Sequence, residues 1–221
     1  MMLMSPDNYE FAAQIKAHLQ RVSESLGKEF IVIGGWAVHA HGASQLSLAG
    51  DAMISVIANG VLRDEFIVTP NPRLGKQQYQ ADGFDVDLYV EHQHKLRVSF
   101  DEIQAHAVQR EGMWVACPEH LLILKCGAIS NRGATPKGAK DKRDLLSLLS
   151  VVAADPCREI LDKHLLESDE ESIRSAMQDA DAILELAEGN SHLAKQLSRK
   201  FSQEWEGICE LLRSNQTGQS V

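Results

Sequence analysis

A short apolar run, Ile31-Val32-Ile33, ends in a glycine pair, Gly34-Gly35, and this junction constrains the chain more than any other stretch. A strand that runs into two glycines marks a sharp strand-to-helix turn, because glycine reaches backbone conformations closed to other residues. The same glycines let backbone N–H groups approach a phosphate with no side chain in the way. A small-residue helical stretch follows over residues 36–41, and the next apolar stretch opens with Gly50-Asp51. A carboxylate in that position is suited to a metal ion arriving with a phosphate.

The elements around this junction are read from periodicity and punctuation. Phe11, Ile15, Leu19 and Val22 recur at helical spacing, which predicts a helix over Pro6–Leu26 with Gly27 as its stop. Strands are expected over Phe30–Ile33, residues 52–57, 62–69 and 76–80, and Phe84–Val90. Asn59-Gly60, Pro70-Asn71-Pro72 and Asp82-Gly83 are the turns expected to separate them. Later, residues 100–109 read as a short helix and 114–116 as a short strand. Pro118 suits the first turn of a helix over 119–129, and a glycine- and lysine-rich loop is expected over 130–138. From 139 to 213 the pattern is nearly all helical, with boundaries at Pro156, Ser168-Asp169 and Gly189-Asn190-Ser191. A mixed sheet with flanking helices, over residues 1–115, followed by a helical unit, over 116–221, is the expected organisation.

In the run Phe84-Asp85-Val86-Asp87-Leu88-Tyr89-Val90, strand alternation sends Phe84, Val86, Leu88 and Val90 to one face. Asp85, Asp87 and Tyr89 share the other. Aspartate is disfavoured in strands, so two on one face call for a cation or a solvated face.

The net charge of −9 over 221 residues argues against wrapping nucleic acid through a broad basic surface, while leaving room for a local basic site. Cys117, Cys126, Cys157 and Cys209 form no CxxC pair, so buried reduced thiols are expected in place of disulfides or a thiolate zinc site. No apolar run has the length of a membrane span, and the N-terminal residues lack a signal-peptide pattern, so a cytoplasmic protein is expected.

The order Gly34-Gly35, Asp51, then Asp85-Val86-Asp87 resembles the nucleotidyltransferase superfamily. There a strand ends in Gly-Gly or Gly-Ser, the next carries Asp-x-Asp, and a later strand adds a third carboxylate. The resemblance continues through Glu119-His120-Leu121-Leu122-Ile123-Leu124-Lys125, Arg132 and Lys140-Asp141-Lys142-Arg143-Asp144-Leu145. These look like the lysine helix and D-x-x-D-L helix of the AbiEii-type subgroup, which includes toxins of type IV toxin–antitoxin and abortive-infection systems. It implies an α+β fold, a nucleotidyltransferase-like mixed β-sheet with flanking helices followed by a C-terminal helical bundle.

The activity implied is Mg²⁺-dependent transfer of a nucleoside monophosphate from an NTP to a hydroxyl acceptor on RNA, a protein or a small molecule, with a cognate antitoxin as a partner. Gly34 and Gly35 would cradle the phosphates. Asp51, Asp85 and Asp87 would hold Mg²⁺, Lys125, Arg132 and Lys140 would contact the triphosphate, and Asp141 would serve as a base or supporting acid. Charge supports the second group, since Lys125, Arg132, Lys137, Lys140, Lys142 and Arg143 cluster in an acidic chain. A solvated lysine-rich surface, with Asp141 and Asp144 steadying a helix N-terminus, explains the same residues without a ligand.

One position departs from the pattern. Two residues after Asp51, where the superfamily carries its second aspartate, stands Met53. Three readings follow: Asp85 and Asp87 together compensate, the motif lies elsewhere, or the chain binds nucleotide or a partner without turnover.

Overall fold

The structure is a computed structural model, and it describes residues 6–43, 49–132 and 135–214. The chain divides into two compact units, one ending at Cys117 and one beginning at Pro118.

The first unit opens with helix α1 (Pro6–Leu26), strand β1 (Phe30–Ile33), helix α2 (Gly34–Ala40) and strand β2 (Gly50–Ile54). Helix α3 (Val56–Glu65), strands β3 (Val68–Asn71), β4 (Lys76–Ala81) and β5 (Phe84–Val90), helix α4 (Phe100–Ala105), and strands β6 (Val108–Arg110) and β7 (Met113–Val115) complete it. The strands form one mixed sheet in the order β3-β4-β5-β2-β1-β7-β6. β1 runs antiparallel to β2, and β2 runs parallel to β5. This is the expected α+β architecture.

Helix α1 packs against one face of the sheet. Ala12, Ile15, Leu19 and Val22 of α1 are buried, and so are Phe84, Val86, Leu88 and Val90 of β5. Phe11 meets Phe84 edge-on at 6.0 Å between ring centroids. A Cβ added to Gly50 would come within 3.2 Å of Leu19 Cδ2, so β2 accepts the helix closely there. Because side chains alternate along β2, Asp51 and Met53 project from the opposite face.

A polar cluster sits within this core. His18 is 4% exposed, its Nε2 lies 2.8 Å from Tyr79 Oη, and Arg21 donates to its Nδ1 at 3.1 Å. Arginine only donates, so Nδ1 is the acceptor and Nε2 carries the proton. Burial, then the Arg21 charge, holds the His18 pKa below its ordinary 6.5, against weaker opposition from Asp82 and Glu65. Protonation is therefore easier in the unfolded chain. Stability from His18 is complete above the unfolded value and declines as pH falls through and below it. Urea unfolding at pH 7.5, 6 and 5 is expected to show that acid-side loss, and His18→Gln should flatten it.

Parts of two expected strands give way to a helix. Residues 56–65, which contain the expected Asn59-Gly60 turn and parts of both strands, form α3. Ser55 caps it, accepting from Ala58 N at 3.0 Å, and Ala58, Asn59 and Leu62 make its buried face. Val56, Ile57 and Val61 are exposed, so the apolar residues that suggested strands lie on the solvent side of a helix. The helix expected over 100–109 ends at Ala105, and Val108–Arg110 pairs antiparallel with Met113–Val115 around a turn at Glu111 and Gly112, both at positive φ.

The second unit is all helical: α5 (Pro118–Arg132), α6 (Pro136–Ala154), α7 (Arg158–His164), α8 (Glu167–Met177), α9 (Ala180–Leu186) and α10 (Ser191–Arg213). The loop expected over 130–138 is mostly helix: α5 runs to Arg132 and α6 begins at Pro136, capped by Thr135 Oγ1 on Gly138 N at 3.1 Å. Asp169 begins α8 by accepting from Leu166 N at 2.8 Å, and Asn190 caps α10 at His192 N and Leu193 N. Phe201, Trp205 and Ile208 recur on one buried face of α10, as its spacing requires. Cys117 and Cys126 are buried, and Cys157 and Cys209 are half-buried. No helix among the described residues is long and apolar enough to cross a membrane.

Candidate functional site

Three strands converge at the glycine junction. Ile33, the last residue of β1, pairs with Asp51 of β2, and Asp51 pairs in turn with Asp87 of β5. Asp51 and Asp87 thus stand side by side on neighbouring parallel strands and project from the same sheet face.

Gly34 lies immediately beyond Ile33. Its φ is +64°, and a Cβ there would fall 2.5 Å from Asp51 Oδ2. The glycine is demanded by the backbone and by the Asp51 carboxylate seated against its Cα. Gly35 is buried in the first turn of α2.

Asp87 is 7% exposed and is held by two side chains of β4. Lys76 Nζ forms an ion pair with Asp87 Oδ2, and Gln78 Nε2 donates to Asp87 Oδ1 at 2.6 Å. Gln78 pairs with Asp87 across the strands, and Lys76 lies two residues earlier on the same strand face. Asn71 Nδ2 donates to Gln78 Oε1 at 3.1 Å, which fixes the amide. Asp85, two residues before Asp87, is exposed opposite Gln80. Met53 is 3% exposed, with Ile31 and Tyr89 as its strand neighbours. By sequence alone Lys76 is only the first residue of the strand expected over 76–80. Its place on Asp87 becomes readable once the hairpin register is known.

In the helical unit, two of the expected triphosphate contacts, Lys125 and Arg132, meet aspartates of α6. Lys125 Nζ donates to Asp141 Oδ1 at 2.8 Å and to Asp144 Oδ2 at 2.6 Å, and Arg132 Nε donates to Asp141 Oδ2 at 2.8 Å. Lys125, Asp141 and Asp144 are buried. Burial alone would lower the Lys125 pKa, but the Asp144 and Asp141 charges and hydrogen bonds outweigh it, and the net shift is upward. Lys142 pairs with Asp179 at 2.8 Å, and Arg143 pairs with Glu185. Lys140 is half-buried on α6, and Lys137 is exposed. Much of the basic cluster is therefore engaged in holding helices together.

The histidine-rich turn after β5 is explained by local bonding. His94 Nδ1 accepts from Val90 N at 2.8 Å, and Gln93 Oε1 accepts from Gln77 Nε2 at 2.8 Å. His41 Nε2 lies 2.9 Å from Ala116 O, tying the end of α2 to the end of β7.

No protein-family model and no curated protein matches the sequence. Solved structures do match. A candidate nucleotidyltransferase from H. pylori is 13% identical with a TM-score of 0.52, covering 96% of this chain and 98% of that one. An antigenic nucleotidyltransferase-like protein from Paracoccidioides brasiliensis is 15% identical with a TM-score of 0.52, covering 83% of this chain and 93% of that one. The fold is nucleotidyltransferase-like.

The resemblance implies Mg²⁺ at these carboxylates, and the paired aspartates are chemically suited to a divalent ion. Asp51 and Asp87 are hard oxygen donors placed side by side. Met53 offers a buried thioether, a soft group that does not suit Mg²⁺. Lys76 already sets a positive charge against Asp87.

Proposed function

We propose that this chain binds a nucleoside triphosphate with Mg²⁺ on the Asp51–Asp87 face and transfers its nucleoside monophosphate to a hydroxyl acceptor. The observation that carries this reading is the in-register pairing of Asp51 with Asp87 beside Gly34. Asp51 and Asp87 would hold the ion, Gly34 and Gly35 would present backbone to the phosphates, and exposed Asp85 would lie at the border of the site. The bound ion would neutralise triphosphate charge as the phosphoryl group moves. Lys76 and Gln78 keep Asp87 oriented toward the face. Lys125, Arg132 and Asp141 serve in this reading as the internal tie between α5 and α6, in place of the phosphate and base roles that the resemblance implied.

The acceptor is a tRNA end, a protein side chain or a small molecule, and the net charge of −9 weighs against extended RNA. The direct contact of Lys125 with Asp141 and Asp144 makes the two AbiEii-type sequence patterns one physical unit, and a toxin role with a cognate antitoxin is the analogy that follows from that resemblance. A second reading, nucleotide or partner binding without turnover, is favoured by buried Met53.

Incubation with each α-labelled NTP, Mg²⁺ and cell extract separates these readings. Transfer by the wild type, reduced about 100-fold or more in Asp51→Asn, is expected for an enzyme, since removing a group that helps neutralise the developing charge costs roughly that much. Mg²⁺-dependent nucleotide binding with no transfer would favour the second reading.

A further inference from the structure

We propose that the Lys76 ammonium takes the place of a second divalent cation, so that the nucleotide face works with a single metal ion. The inference rests on the Asp51–Asp87 face being a nucleotide site.

A nearly buried carboxylate must be matched by a cation or several donors. Asp87 is matched from within the chain on both oxygens: Oδ2 takes the Lys76 ammonium and Oδ1 takes the Gln78 amide. Lys76 is itself 6% exposed, so the charge is fixed in place. On the other side of Asp51, the position that should supply another carboxylate supplies Met53, packed between Ile31 and Tyr89. A second divalent ion would therefore lack a carboxylate where Met53 stands, and would meet an ammonium already on Asp87.

The charge arithmetic agrees. Three carboxylates carry −3 and attract two divalent ions. Asp51 (−1), Asp87 (−1) and Lys76 (+1) sum to −1, which suits one divalent ion shared with a triphosphate. The two departures are complementary: a lost carboxylate removes one negative charge, and an internal ammonium removes the need for one cation. Exposed Asp85 lies two residues farther along β5, about 6–7 Å away, and does not restore the missing position beside Asp51.

The test is a count of bound Mn²⁺ by electron paramagnetic resonance, on the full chain, with α,β-methylene analogues of the four NTPs. One Mn²⁺ per bound nucleotide is expected. Two per nucleotide would overturn the single-ion inference and leave the nucleotide site standing. No nucleotide-dependent Mn²⁺ binding would overturn both.

The variant pair is Lys76→Met and Met53→Asp/Lys76→Gln. Without nucleotide, Mn²⁺ should raise the melting temperature of Lys76→Met by several degrees more than that of the wild type, because the ion then replaces the lost ammonium. The double variant should take up a second Mn²⁺ with nucleotide. Equal Mn²⁺ responses in wild type and Lys76→Met would count against the substitution of one cation by the other.

Discussion

Lys125→Met is expected to destabilise the helical unit by about 3–5 kcal/mol, the usual cost of removing one partner from a buried ion network. The ammonium lies between α5 and α6, 2.8 Å from Asp141 and 2.6 Å from Asp144. The Asp141 and Asp144 side chains are only 3% and 2% exposed, so water cannot replace the missing charge at low cost. Arg132 remains on Asp141. Lys125→Met/Asp144→Leu should recover part of the loss, because two apolar side chains of similar volume remove the charge imbalance. The Lys125 pKa is raised, so its contribution is fully present below the ordinary lysine value and is lost only as pH rises beyond it. Urea unfolding followed by circular dichroism measures the effect. A Lys125→Met protein that unfolds like the wild type yet loses nucleotide affinity would return this lysine to a phosphate-binding role.

Gly34→Ala should cost about 2–4 kcal/mol, from a left-handed backbone that alanine resists and from overpacking against Asp51. The added methyl would fall 2.5 Å from Asp51 Oδ2 and 2.9 Å from its Cγ, so either the strand end or the carboxylate must move. Both are parts of the proposed nucleotide face. Binding should therefore fall by more than the stability loss alone explains, even at a temperature where the variant is fully folded. Gly42→Ala supplies a control: its φ is also positive, at +74°, but its added Cβ meets nothing within 4 Å. It should show only the backbone penalty of about 1–2 kcal/mol. Equal costs at the two glycines would mean that the Asp51 contact carries no weight.

The sequence made the framework of the site legible because strong local signals define it. Strict alternation in β5 announced which side Asp87 faces, and the glycine pair announced the end of β1. Asp82-Gly83 has both residues at positive φ and closes a two-residue hairpin that pairs Ala81 with Phe84. Counting back from that turn puts Gln78 opposite Asp87 and Lys76 on the same face, so this contact was recoverable from the register. Helix α3 was not, because Val56, Ile57 and Val61 are apolar yet exposed, and β-branched residues favour a strand reading. The fates of Lys125 and Arg132 were hidden for another reason. A cluster of positive charge looks the same in sequence whether it faces a phosphate or buried aspartates, and only the packing of α5 on α6 distinguishes them.

The central claim is that the Asp51–Asp87 face is a Mg²⁺–nucleotide site. Its most direct measurement is isothermal titration of the full chain with α,β-methylene NTPs, in Mg²⁺ and in chelator, beside an Asp51→Asn variant of matched melting temperature. Saturable binding of at least one nucleotide is expected, requiring Mg²⁺ and weakening about tenfold or more in Asp51→Asn. No binding of any nucleotide, or binding indifferent to both Mg²⁺ and Asp51, would contradict it.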